Sequence, residues 1–201
     1  MAFWPEAFAL WSDDMKTFKP ARHAVLPALV AAAALAGCSI VPSDRGVPVR
    51  TAQAQINATT VDQPLASHPV TGIVRFAEMK DGGVRVSGEV KNLKPNSEVG
   101  FHIHQNGDCT GDGTAAGGHF NPGGMMHGSP GHGHAGDLPM LKADALGTAT
   151  IQYVSHEIKL AGPDGIMGRG VIVHRDPDDY KTQPTGNAGP RLACGVVMTG
   201  S

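Results

Sequence analysis

Apolar and polar residues alternate along the chain from residue 70 onward. Residues 84–90 (VRVSGEV) alternate almost strictly, which is typical of a β-strand with one buried face. Six further runs have a similar character and are bounded by Gly, Pro, Asn or Asp: residues 70–79, 99–104, 141–144, 148–153, 170–174 and 192–198. No segment after residue 37 shows a 3.6-residue apolar period. The pattern predicts an all-β domain, a sandwich or a barrel.

A different apolar stretch precedes this pattern. Residues 24–35 are almost entirely Ala, Leu and Val. The cations Lys16, Lys19 and Arg22 precede this stretch, and it ends in Leu35-Ala36-Gly37, directly before Cys38. We predict that residues 1–37 are a signal peptide of the lipoprotein type and that Cys38 carries lipid. A membrane-spanning anchor is the alternative, but this stretch is shorter than the roughly 20 residues that a spanning helix needs.

Residues 38–67 are rich in Ser, Thr, Pro, Gln and Ala and show no strong periodicity. We predict a flexible tether here, followed by a single domain at residues 68–201. Ser39 differs from the aspartate that retains lipoproteins in the inner membrane. This difference favours the outer membrane. The leader and the lipid together predict a location in the cell envelope, on its periplasmic side or surface, with membrane contact through lipid alone.

The charge of the chain argues against one class of function, nucleic-acid binding. The chain has 16 Lys and Arg against 18 Asp and Glu, a net charge of −2, and no concentrated basic segment. Nucleic-acid binding is therefore not expected. Export would place Cys109 and Cys194 in an oxidising compartment, where the alternatives are a disulfide and two buried thiols.

The candidate chemistry lies in histidines. In the strand at 99–104, side chains alternate between faces, so Phe101 and Ile103 are expected in the core and His102 and His104 together on the other face. Two long segments without strand pattern, residues 105–138 and 175–190, are expected to be functional loops. The first contains further imidazoles and a carboxylate, groups that suit zinc or copper(II): His119, His127, His132, His134 and Asp137.

Several motifs, in this order and spacing, resemble the copper–zinc superoxide dismutases over about residues 70–198. They are Gly100-Phe101-His102-Ile103-His104, Gly118-His119-Phe120-Asn121-Pro122, His134-Ala135-Gly136-Asp137-Leu138, Val173-His174 and Gly186-Asn187-Ala188-Gly189-Pro190-Arg191-Leu192-Ala193-Cys194-Gly195-Val196. Asp137-Leu138-Pro139 and the exported leader resemble the bacterial periplasmic branch. The resemblance implies an eight-stranded Greek-key β-barrel and dismutation of superoxide to O₂ and H₂O₂. Members resembling this chain are monomers or homodimers.

The resemblance also implies roles for individual residues. One copper and one zinc per chain are expected. The implied copper ligands are His102, His104, His119 and His174, and the implied zinc ligands are His119, His127, His134 and Asp137. The imidazole of His119 is shared by the two sites and is expected to carry a proton. Arg191 corresponds to the arginine beside the copper, and Asp178 to the aspartate that joins a copper ligand to a zinc ligand. Cys109 and Cys194 correspond to the family's disulfide.

Some features depart from the family or allow another interpretation. His132 is an additional histidine, and the loop before Arg191 is shorter than in the animal enzymes, with Arg175 and Lys181 as its other cations. Met125-Met126 could bind copper(I), or they could be packing residues or part of a flexible loop. Neither His68 nor His156 has a ligand context. The alternative function is a non-enzymatic periplasmic copper or zinc carrier, which needs neither Arg191 nor a shared histidine.

Overall fold

The structure, a computed structural model, describes residues 48–61 and 67–200, and nine β-strands and one short 3₁₀ helix lie within them. The helix is Thr114–Ala116, and the strands are β1 (Pro48–Ala58), β2 (Thr71–Met79), β3 (Val84–Lys91), β4 (Glu98–Val99), β5 (Phe101–His104), β6 (Leu141–Lys142), β7 (Ala149–Ser155), β8 (Gly170–His174) and β9 (Arg191–Thr199). Gly100 alone separates β4 from β5. Counted together, these two give the eight strands of the predicted barrel.

The strands form a curled antiparallel sheet of seven strands and a second sheet of two. Seven of them follow the order β5-β8-β9-β1-β2-β3-β7, and β4 pairs separately with β6. Since β4 continues into β5 and β6 lies beside β7, the two ends of the order come together. β3 and the following strand, β4–β5, are far apart in this order, as in a Greek key. The all-β fold class predicted from the alternation is confirmed.

The strand β1 corrects the predicted domain boundary. The tether was predicted to extend to residue 67, but β1 lies in the sheet between β2 and β9. Ala52, Ala54 and Ile56 are buried at every second position, so one face of the strand belongs to the core. The prediction was wrong because small Ala residues alternating with Gln give a weak β signal. The barrel therefore begins some twenty residues earlier than expected.

The predicted leader lies outside the described residues. This applies to residues 1–37, to Cys38 with its lipid, and to the parts of the predicted tether at 38–47 and 62–66. Within the described residues, none of the helices combines the length and the hydrophobicity that crossing a bilayer would require.

The strand β5 separates the core from the candidate site. Phe101 and Ile103 belong to the main hydrophobic cluster of the barrel and are 1% and 0% exposed. His102 and His104 alternate with them and are also buried, on the side covered by the long loops. The predicted alternation of faces in this segment is confirmed. The barrel wall thus supplies a rigid base for the imidazoles.

Candidate metal centre

The long loop after β5 folds back along that strand's free edge. Phe120 donates its backbone N–H to the carbonyl of Ile103 (2.8 Å), and Ile103 donates its own N–H to the carbonyl of Gly136 (2.9 Å). A side chain at Gly136 would overlap the Ile103 carbonyl oxygen, so this close approach requires glycine. The loop satisfies backbone groups that an edge strand would otherwise expose.

This pairing brings distant parts of the sequence together. His119 lies opposite His104, and Asp137 lies opposite His102, as isolated antiparallel bridges. His174, the last residue of β8, lies opposite Arg191, the first residue of β9. The β8–β9 register shifts just before His174, and such irregularities redirect side chains at strand ends. Backbone pairing therefore assembles the histidines and the arginine around one point.

Four buried histidines form the first of two candidate metal groups. One donor atom from each lies within 4.8 Å of the others: His102, His104, His119 and His174. In each of them one ring nitrogen has no hydrogen-bond partner among the described residues: His102 Nδ1, His104 Nε2, His119 Nε2 and His174 Nε2. A buried polar atom without a partner costs about 1–3 kcal/mol. Four such atoms together fit a bound cation that accepts their lone pairs.

Hydrogen bonds at the opposite ring nitrogens fix the tautomers. His104 Nδ1 donates to the carbonyl of Gly117 (2.9 Å), and His174 Nδ1 donates to that of Gly189 (3.1 Å). His102 Nε2 donates to Asp178 Oδ2 (2.7 Å). Because carbonyl and carboxylate oxygens only accept, these nitrogens carry the hydrogen. The lone pair is left on the nitrogen without a partner, which is the arrangement that a metal ligand requires.

The second candidate group consists of His119, His127, His134 and Asp137, whose donor atoms also lie within 4.8 Å of one another. Asp137 Oδ1 lies 2.8 Å from His119 Nδ1 and 3.2 Å from His134 Nδ1. His127 Nδ1 is 3.1 Å from Asp137 Oδ2 but lacks hydrogen-bond geometry. Three imidazoles and one carboxylate are a common donor set for tetrahedral zinc. His119 belongs to both groups and can use one nitrogen for each.

Asp178 connects the two groups through hydrogen bonds. Its Oδ2 accepts from His102 Nε2, and its Oδ1 accepts from His127 Nε2 at 2.9 Å. Gly186 packs over this arrangement with a left-handed φ of 65°, and a side chain there would overlap Asp178 Oδ1 and His127 Nε2. The structure thus shows at Asp178 the connection that the sequence resemblance implied.

Burial favours the neutral form of three of the imidazoles, those of His102, His104 and His174. Desolvation, reinforced by His119, lowers the pKa of both His102 and His104 well below the ordinary value, and burial lowers the pKa of His174 to about 4. Burial alone would raise the pKa of Asp137. The hydrogen bond from His119 and the backbone N–H of Gly128 outweigh burial, so this pKa is lowered. Near neutral pH, neutral imidazole beside carboxylate is the protonation state that binds metal.

Arg191 is half-buried beside the first group. Its Nη1 donates to the carbonyl of Gly113 and its Nη2 to that of Gly117, both at 2.7 Å. The Gly117 carbonyl also accepts from His104 Nδ1, so one oxygen connects the arginine with a candidate ligand. Burial lowers the pKa of Arg191, yet a guanidinium remains charged at physiological pH. Its remaining N–H groups can bind an anion.

The loop at 175–190 adds little further positive charge near the site. Arg175 pairs with its neighbour Asp176 on the surface, with N–O distances of 3.0 and 2.8 Å. Lys181 is exposed. Arg191 is therefore the cation of this region that the fold places against the imidazoles.

Cys109 and Cys194 form a disulfide that spans 85 residues of sequence. Cys194 lies on β9 and packs against Ala116 and Ile172. The disulfide joins the loop that contains Gly113 and Gly117 to the strand that begins with Arg191. The implied pairing is confirmed, and it holds the arginine and its carbonyl partners on one covalent frame.

The remaining candidates lie outside both groups. His132 is exposed and belongs to neither group, and His68 and His156 are also exposed. Met125 and Met126 precede His127 and are 57% and 68% exposed, so they do not serve in core packing. The structure gives none of these five residues a place in the candidate metal centre.

Comparison with known proteins identifies the family. Residues 70–197 match the model of the copper/zinc superoxide dismutase (SODC) family, which is more than half of the chain. The chain belongs to this family. The Cu–Zn superoxide dismutase of Onchocerca volvulus is 44% identical over an alignment of 149 residues, and the match covers 68% of this chain and 94% of that protein. The crystal structure of the clock protein EA4 superposes with a TM-score of 0.66 at 37% identity, covering 76% of this chain and 96% of that one.

Membership in the superoxide dismutase family defines the activity and the cofactors. The protein is an oxidoreductase that converts superoxide to O₂ and H₂O₂ with copper and zinc. The observed donor sets fit this chemistry: four imidazoles suit copper(II), and three imidazoles with a carboxylate suit zinc. Sequence reasoning did not find the carbonyls of Gly113 and Gly117 that hold Arg191, because a backbone acceptor has no residue signature.

Proposed function

We propose that copper binds at His102, His104, His119 and His174, and zinc at His119, His127, His134 and Asp137, one ion of each per chain. The observation that carries the copper assignment is the set of four buried ring nitrogens without partners. The zinc assignment rests on the convergence of three imidazoles and Asp137, whose donor atoms lie within 4.8 Å of one another. A second support is that each opposite nitrogen in the first group, His119 included, lies against an oxygen. The pattern distinguishes ligands from ordinary buried histidines, which satisfy both ring nitrogens.

When bound, copper supplies the one-electron chemistry by which two superoxide ions and two protons become O₂ and H₂O₂; zinc has no redox chemistry. The protein residues prepare the site for this reaction. His119 is the group placed to hold a proton at Nε2. Asp178 holds the tautomers of His102 and His127. Arg191 binds the anionic substrate.

Protein loaded with both metals should dismutate superoxide, and Arg191→Ala should weaken this activity. We expect kcat/KM to fall by about 10- to 100-fold because a positive charge at a cleft speeds association of an anion. The salt dependence should flatten while both metals stay bound. Pulse-radiolysis kinetics over a range of ionic strengths, with metal content per chain, provide the measurement.

Lys181→Ala is the matched control, since it removes an exposed cation from the neighbouring loop. We expect it to change kcat/KM by less than about twofold, as is usual for exposed charges. A copper(II) electron paramagnetic resonance spectrum that changes on zinc removal would support the shared His119. Full copper loading without copper-dependent turnover would contradict the proposed site, and loss of metal from Arg191→Ala would contradict the role given to that residue.

We further propose that the protein works in the cell envelope, attached to a membrane through lipid on Cys38, and protects the envelope from superoxide. The supports are the leader pattern at residues 1–37 and the Cys109–Cys194 disulfide, which suits an oxidising compartment. Ser39 favours the outer membrane.

Cys38→Ser should release the protein from the membrane. We expect the wild-type chain to incorporate labelled fatty acid and to fractionate with outer membranes, because a lipid-modified cysteine needs no spanning helix to hold a protein there. The variant should lose the label and leave the membrane fraction, with the activity per bound copper unchanged. Equal labelling of both chains would exclude Cys38 as the attachment site.

A further inference from the structure

The loop before His119 contains the same three-residue motif twice. The copies are Asp108-Cys109-Thr110 and Asp112-Gly113-Thr114. In each, the aspartate Oδ1 accepts from the backbone N–H of the threonine at 3.0 Å and from its hydroxyl at 2.7 or 2.6 Å. Both aspartates are exposed. The two motifs close equivalent turns, so a difference in function must come from what surrounds them.

The second copy is built against Arg191. Gly113, inside the motif, has a left-handed φ of 79°, and its Cβ position lies 3.4 Å from the Cβ of Arg191. Its carbonyl accepts from Arg191 Nη1, and the carbonyl of Gly117, directly after the 3₁₀ helix Thr114–Ala116, accepts from Nη2. One acceptor of the guanidinium therefore lies within the turn that Asp112 closes, and the other lies directly after the short helix that follows this turn.

Asp112 also places a negative charge near that guanidinium. The charges of Asp112 and Arg191 act on each other: the carboxylate favours the charged arginine, and the arginine contributes to lowering the pKa of Asp112, after the larger contribution of Thr114. Asp108 shows no such interaction with Arg191 within the described part of the chain. The guanidinium of Arg191 donates to these backbone carbonyls, so Asp112 acts on it through its charge and through the turn, not through a direct hydrogen bond.

We propose that Asp112 is a positioning residue for Arg191 that acts in two ways: its side chain closes the turn that presents the Gly113 carbonyl, and its charge limits the attraction of anions. The inference rests on the proposed anion-binding role of Arg191. A neutral residue here would strengthen the field on the substrate, and loss of the hydrogen-bond acceptor would loosen the arginine. The two contributions act in opposite directions and can be separated.

Asp112→Asn separates charge from positioning, because the amide oxygen still accepts from Thr114. With azide as a small anionic probe of the copper- and zinc-loaded protein, we expect Kd to fall about two- to fivefold at roughly 10 mM ionic strength, where charges interact over about 30 Å. kcat/KM for superoxide should rise by a similar factor. Both differences from wild type should vanish near 1 M salt, where screening acts within about 3 Å.

Asp108→Asn is the matched control, since it makes the same change in the twin motif away from Arg191. We expect its azide affinity and its kcat/KM to equal those of wild type at every salt concentration. Asp112→Ala has the same net charge as Asp112→Asn but lacks the acceptor. It should bind azide more weakly than Asp112→Asn by about threefold or more, including at high salt, because a loosened guanidinium loses hydrogen-bond geometry.

Each outcome decides one part of the proposal. Equal effects of Asp112→Asn and Asp108→Asn would reduce the effect to net charge and overturn a specific role. Equal azide affinity of Asp112→Asn and Asp112→Ala would overturn positioning. Azide binding is measured from the copper(II) absorption band and does not require turnover. Wild-type protein that binds azide but does not dismutate superoxide would therefore contradict the proposed function without contradicting this inference. Unchanged near-UV circular dichroism of the variants confirms folding.

Discussion

Replacing His119 by alanine is expected to impair both metal sites with one substitution. We expect copper-dependent turnover to fall by about 10²- to 10⁴-fold, the range for losing a group that transfers a proton. Zinc affinity should fall by roughly 100-fold or more. Losing a residue that only hydrogen-bonds to a metal ligand lowers metal affinity by about 10- to 100-fold, and losing the ligand itself should lower it further. The reason is that His119 is the one histidine common to both groups.

Chelator competition for each metal and pulse-radiolysis kinetics measure this result. His132→Ala is the matched control because it removes an exposed imidazole from the same loop and outside both groups. It should leave turnover at full metal load unchanged. A variant of His119 that loses copper but keeps wild-type zinc affinity would show that the imidazole is not shared.

Removing the disulfide should give the largest effect on stability. For Cys194→Ser, the chain-entropy model predicts a loss of roughly 4–5 kcal/mol in the free energy of unfolding for a loop of 85 residues. At about 2–4 °C per kcal/mol for a chain of this size, Tm should fall by roughly 8–20 °C. Calorimetry on the metal-free protein isolates this effect from metal binding.

Cys109→Ser provides the comparison, because Cys194 is buried and Cys109 is only partly buried. The two single variants and the double variant should all have Tm values within a few degrees of one another, and a reductant should lower only that of the wild type. A double variant that is much less stable than either single one would show that the two cysteines act independently.

The sequence predicted seven strand segments because apolar alternation is a local property. It missed β1, where buried Ala52 and Ala54 gain their stability from neighbouring strands and not from their own β propensity. The alternation Ala52-Gln53-Ala54-Gln55-Ile56 is the signal that could have found it. Strand order was not predictable locally either, since pairing partners such as β1 and β9 lie at opposite ends of the domain.

The candidate site was predictable to a greater extent, and for a different reason. Imidazoles and a carboxylate clustered in one segment predicted metal binding, and the resemblance to the family divided them into the two groups that the structure brings together. What the residues could not supply is the second layer of contacts. The carbonyl of Gly117, shared by Arg191 and His104, and the glycine that covers Asp178 are consequences of the folded backbone.

If lipid on Cys38 anchors the protein as proposed, the position of β1 also limits the distance between the barrel and the membrane. A tether of residues 38–67 would allow about 100 Å of extended chain, at roughly 3.3–3.6 Å per residue. Because the barrel begins at Pro48, only ten steps separate it from Cys38, about 35 Å at full extension. Under the proposed lipid anchor, the enzyme is confined to a thin layer at the bilayer surface. It would intercept superoxide where lipids and membrane proteins are exposed to it, and would leave the bulk of the compartment to freely diffusing enzymes.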